Sequence, residues 1–121
     1  TCYIIKQPTI THKEMSARQH FISRMEDIEL MMITQDEQGL NEYGLSLDYN
    51  EEDDEWIWIL SCEGPEEQVV MRGRGNKARF FFVFKGWFTR EEFEVTSPME
   101  QVALKTLFQD WFNCEAAYDV L

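Results

Sequence analysis

No lysine or arginine occurs between Met25 and Met71, a stretch that holds fifteen aspartates and glutamates. The converse gap follows at once: from Arg72 to Arg90 there are six basic residues and no acid. Charge of one sign is therefore missing from long blocks of the chain. Such blocks imply regions of opposite potential on one surface, provided folding does not interleave them. In a sheet it can, because the basic strand is free to lie beside the acidic one.

Other absences narrow the class. The three cysteines, Cys2, Cys62 and Cys114, are an odd number at wide spacing. A disulfide scaffold wants more of them in even number, so free thiols in a reducing compartment are expected. Near the N-terminus Ile4 and Ile5 are the only adjacent aliphatics before Lys6 and Pro8, unlike a signal peptide. An unbroken apolar run such as Phe80 to Phe84 is far short of the roughly 20 residues that span a bilayer. A cytoplasmic protein without a membrane segment is the expectation.

Catalytic motifs are missing as well. There is no Walker loop, GxSxG or HExxH. His12 and His20 lie at or in the first expected helix, and no Cys or Asp motif stands at a fixed distance from either. The alternation of Asp48, Asn50 and Glu52 invites a calcium loop, but Asp53 and Ile59 occupy the positions where an EF-hand needs Gly and Glu. Only an irregular divalent site among Asp48, Glu52 and Asp54 is left open. No catalytic residue, cofactor or metal is assigned, and the chain is expected not to be an enzyme.

What is present supports a folded unit. A length of 121 residues fits one domain spanning residues 1–121. Nine Phe, four Trp and four Tyr supply large buried areas, so the net charge of −12 does not make the chain disordered.

The patterning gives an order of elements. Cys2 to Ile5 reads as an edge strand broken by Pro8. Thr11 and Glu14 have capping-box spacing, and Phe21, Met25, Ile28 and Met32 form the apolar stripe of a helix. Gly39 is expected to end that helix or the turn after it. Tyr43, Leu45, Leu47 and Tyr49 alternate with polar residues as a half-exposed strand. Trp56 to Ser61, Gln68 to Met71 and Ala78 to Phe84 follow as strands, with Phe88 and Phe93 to Val95 as a further short one. Ser97, Pro98 and Glu100 open a closing helix that buries Val102, Leu104, Leu107, Phe108 and Trp111 and extends toward Tyr118. The expected class is α+β, an antiparallel sheet of four to five strands in the order β-α-β-β-β-β-α.

Two strands are apolar on both faces. Trp56, Trp58 and Leu60 alternate with Ile57 and Ile59, and Phe80, Phe82 and Phe84 with Phe81 and Val83. An antiparallel sheet commonly shows water one face. Here either the two helices cover opposite faces, which is the simpler arrangement, or one face meets a partner, a second copy of the chain included.

Two stretches stand out as sites. The acidic run Glu51, Glu52, Asp53, Asp54 and Glu55, with Asp48 before it and Trp56 and Trp58 beside it, fits a surface for a cationic partner. A hairpin loop that merely solvates an edge is the plainer account of the same residues. The basic turn with Arg72, Arg74, Lys77 and Arg79 fits phosphate binding, with Phe80 and Phe82 near enough to stack bases. The net negative charge argues against that use, and the glycines suit a turn. The expectation is an acidic binding protein of inhibitor, immunity or anti-defence type. Its basic partner is expected to be a nucleic-acid-binding enzyme or toxin, whose channel it enters by imitating phosphate charge.

Overall fold

The computed structural model describes residues 16–117. The strand expected at residues 2–5, the capping box at 11–14, His12, Cys2 and Tyr118 lie outside them.

Helix α1 spans Ala17–Thr34. Ser16 caps it: its hydroxyl accepts from the Gln19 amide at 3.1 Å, and the Gln19 side chain accepts from the Ser16 amide at 2.8 Å. This reciprocal pair satisfies two of the helix's orphan donors. The stripe is as expected, with Met25 and Ile28 buried and Phe21 and Met32 packed against the core. Gly39 does not end the helix. Gln35 does so in the left-handed region at φ 55°, and the Asp36 amide donates to the Met31 carbonyl at 2.9 Å, the pattern of a helix stop usually built on glycine. Asp36 then caps a short helix, α2 (Glu37–Tyr43), by accepting from the Gly39 amide at 3.0 Å. Gly39 therefore lies inside a helix, where a Cβ would collide with the Asp36 carboxylate.

Five antiparallel strands follow in sequential order: β1 (Ser46–Asn50), β2 (Glu55–Ser61), β3 (Glu66–Arg72), β4 (Arg79–Lys85) and β5 (Arg90–Glu94). Tyr43, expected in the first strand, closes α2 instead. Helix α3 (Pro98–Thr106) runs into a wider π-helical turn, Leu107–Trp111. Ser97 stands at its N-cap and Pro98 at its first position, but the Ser97 side chain makes no capping bond. Val102, expected in the core, is exposed, whereas Leu104, Leu107 and Phe108 are buried. The described residues thus form a single small α+β domain with a five-stranded antiparallel sheet.

Among the described residues, the helices do not cover opposite faces. Residues of α1, α2, α3 and the π-turn share one core with Trp58, Leu60, Val69, Met71, Phe80 and Phe82, all from one side of the sheet. The other side carries a separate small cluster of Val70, Phe81 and Val83, with Ile57 packed against it and no helical residue among the described residues. The period-2 pattern was right that both faces are apolar. What differs is the cover on the second face, which involves charged side chains of the sheet itself.

Cys62 is disulfide-bonded rather than free. Cys114 is free and buried, and burial pushes its thiol pKa up.

Candidate functional site

The acidic run forms a four-residue turn, 51–54, between β1 and β2, with Asn50 opposite Glu55 in register. Asn50 shapes it: its side-chain Oδ1 accepts from the Glu52 backbone amide at 3.1 Å, and its side-chain Nδ2 donates to the Asp53 carboxylate at 3.2 Å. Asp54 adopts φ 53°, a conformation that short polar side chains tolerate better than most. Glu51, Glu52 and Asp53 are exposed and form no ion pair with a described residue.

The two ends of the chemistry meet here. Arg74 donates to both oxygens of Asp54, at 3.0 and 2.7 Å, and the Tyr49 hydroxyl donates to the same carboxylate at 2.7 Å. These contacts hold the Asp54 carboxyl below the usual carboxylate range. Arg72 ion-pairs with Glu55, its register partner across β2 and β3. It also reaches over β4 to grip Glu92 on β5 with bonds of 2.7 and 3.0 Å, its guanidinium 4.3 Å from the Phe81 ring centre. Arg79 holds Glu94 at 2.8 and 2.7 Å and also overlies Phe81, at 5.3 Å. Bidentate pairs of this kind are the stronger sort of ion pair, and a cation over an aromatic face adds a further attraction. Arg72 and Arg79 face each other in register, so these carboxylates also relieve a like-charge contact. Folding therefore interleaves the blocks. Three of the four basic candidates, Arg72, Arg74 and Arg79, are held by carboxylates. Lys77, on the 3-10 turn Gly75–Lys77, forms no ion pair with a described residue.

The tryptophans separate. Trp58 is 3% exposed and belongs to the core, its ring edge-on to Phe112 at 5.2 Å. Gly44 is required beside it, because a Cβ there would overlap the indole nitrogen. Trp56 is half-buried, with Tyr49 tilted against it at 4.7 Å, and its indole nitrogen is buried with no hydrogen-bond partner. Asp48 lies opposite Ile57 on the second face. With Asp54 engaged by Arg74 and Tyr49, the divalent option loses a ligand, and among the described residues no three His, Cys, Asp or Glu side chains cluster as a metal site needs.

Three groupings escaped the sequence reading. Glu67, 4% exposed, accepts from Arg24 at 2.9 and 3.2 Å and from the Ser61 hydroxyl at 3.2 Å, with His20 Nδ1 3.3 Å away. Burial opposes the Arg24 charge, but Glu67 and Tyr43 outweigh it and raise its pKa above the ordinary value. The available signal was the alternation of Glu67 with Val69 and Met71, which sets a charge on the core side, and the one-turn spacing of His20 and Arg24. Trp87 and Phe88, at the β4–β5 turn, are 77% and 97% exposed. Finally, Glu100 of α3 lies within electrostatic reach of Glu26 and Glu29 of α1. Burial first, then these two carboxylates, raise its pKa.

Comparison with protein-family models, curated proteins and solved structures finds no match for this chain.

Proposed function

We propose that the protein is a non-catalytic acidic binding protein, and that its partner is a basic, nucleic-acid-binding protein whose phosphate channel it occupies as an inhibitor or immunity-type factor. The observation that carries this reading is the split among its carboxylates. Asp54, Glu55, Glu67, Glu92 and Glu94 hold arginines of the same chain. Glu51, Glu52 and Asp53 stand together, exposed, on one hairpin turn with no cation from a described residue. Like charges crowded without a counterion are favoured only by solvent or by a cationic partner, and their field steers such a partner toward the turn.

The alternative, direct nucleic-acid binding through Arg72, Arg74, Lys77 and Arg79, draws less support. A phosphate would have to compete with Glu55, Glu92, Asp54 and Glu94 for three of those four side chains.

The test is affinity capture from the source cell at low salt, with the captured proteins identified by mass spectrometry. A basic nucleic-acid-binding protein that elutes as salt rises is expected. Its loss is expected with Glu51→Gln, Glu52→Gln and Asp53→Asn combined. Unchanged capture by that variant sinks the reading, and so does binding of labelled single-stranded or duplex DNA by the protein alone.

A further inference from the structure

We propose that the groove between α1 and α3 is the docking site for a cationic amphipathic helix of the partner. The inference rests on the acidic-binding reading above and adds the surface and the partner's chemistry.

The groove is a shallow cavity of about 220 Å³ with Glu29, Met32, Ile33, Met99, Val102 and Ala103 among its lining residues. Ile33 and Val102 are each 65% exposed. Leu30, one turn from Ile33, is exposed as well, whereas Ile22 is set apart from Ile33 by Glu26 and Glu29 on the same side of α1. Exposed apolar side chains scattered singly are ordinary, but several grouped around one cavity mark an interaction surface. Two methionines line it, Met32 and Met99, and their flexible thioethers adapt to varied partner side chains.

Charge decides what fits. Glu29 lines the groove, the charges of Glu29 and Glu26 on α1 repel that of Glu100 on α3, and none of the three forms an ion pair with a described residue. A lysine or arginine above them removes that repulsion. A second copy of this chain brings the same acids and is disfavoured, as is an anionic lipid surface. The helical form follows from the backbone. The groove lies between helices and offers no strand edge, so an extended segment would leave its peptide groups unpaired. A helix satisfies its own backbone and presents apolar anchors at i, i+3, i+4 and i+7 with bases on the flanks.

The test uses a fluorescent leucine/lysine amphipathic peptide of about 18 residues, roughly 27 Å long as a helix, the length of α1. A lysine/serine peptide of equal charge and a leucine/glutamate peptide are the controls. Saturable binding of the leucine/lysine peptide alone is expected, falling about tenfold or more with Ile33→Ser plus Val102→Ser. Both positions are exposed, so an unchanged melting curve separates lost binding from lost folding. Glu26→Gln, Glu29→Gln and Glu100→Gln together are expected to weaken binding and flatten its salt dependence. If both lysine peptides bind equally and only the Glu51, Glu52 and Asp53 substitutions weaken them, the groove is overturned while the acidic-binding reading stands. If neither lysine peptide binds at low salt, both fall.

Discussion

Arg74 closes on Asp54 with two hydrogen bonds, 3.0 and 2.7 Å long, across twenty residues of sequence. The acidic run and the basic turn therefore neutralise each other at one end of the sheet. Among the acids that such pairings leave for a partner to meet are Glu51, Glu52 and Asp53 on the turn, and Glu26, Glu29 and Glu100 on the helical side.

The arginine pairs differ in what they contribute. Arg72 is half-buried, bonds to carboxylates on two strands and lies over Phe81, whereas Arg74 is exposed. Arg72→Ala is expected to destabilise the fold by about 1–3 kcal/mol, read as a lowered urea midpoint with unchanged slope. Arg74→Ala is expected to leave the midpoint in place. Equal effects would show that Arg72 does not cover the second face.

Glu67 should be the most sensitive carboxylate. Glu67→Ala removes the partner of Arg24 on the core side of the sheet, and losing one member of a buried pair costs about 3 kcal/mol. Glu67→Leu with Arg24→Leu removes both charges and is expected to recover much of that loss. Urea denaturation of the wild type and the two variants forms the check, and a double variant no more stable than Glu67→Ala would contradict it.

Stability should depend on pH in two opposing ways. Arg72 holds the Glu92 carboxyl below its ordinary value, and Arg79 does the same to Glu94. Their contribution is complete above the ordinary carboxylate range, near pH 4, and is lost as pH falls through the lower folded values. Glu100 is raised, so its contribution is complete below that range and lost as pH rises through its folded value. Glu100→Gln should therefore raise the melting temperature near pH 7 and not near pH 4. Glu92→Gln should lower it near pH 7 and make the acid limb shallower. Thermal melts across that range test both signs.

Tryptophan fluorescence should divide along the same lines. Trp87 is 77% exposed and Trp58 3%, so acrylamide is expected to quench Trp87 strongly and Trp58 hardly at all. Trp87→Phe should remove most of the quenchable emission. Strong quenching that survives the substitution would place another indole in solvent.

Much of the architecture was legible because periodicity is local. The alternation in Trp56 to Leu60 and Phe80 to Phe84, and the stripe from Phe21 to Met32, each report which side of an element is apolar. What covers that side is long-range. Nothing local says that Arg72 will cross Phe81 to reach Glu92, because that contact needs the register of β3, β4 and β5 together. Helix α2 was missed because Gln35 takes the left-handed stop that sequence reading assigns to glycine. The acidic run was visible at once, but which of its carboxylates are engaged depends on where Arg72 and Arg74 land. The approach of Glu26 and Glu29 to Glu100 joins helices at opposite ends of the described chain and has no sequence signature.

The central claim is that the unpaired acids form the binding surface. Isothermal titration of the captured basic partner tests it most directly. The wild type is compared with a protein carrying Gln or Asn at Glu26, Glu29, Glu51, Glu52, Asp53 and Glu100, at about 50 and about 300 mM salt, across which screening tightens markedly. The account predicts that the wild type binds much more tightly at low salt, and that the substituted protein loses about tenfold or more in affinity together with most of its salt dependence. Equal affinity and equal salt dependence in the two proteins would contradict it.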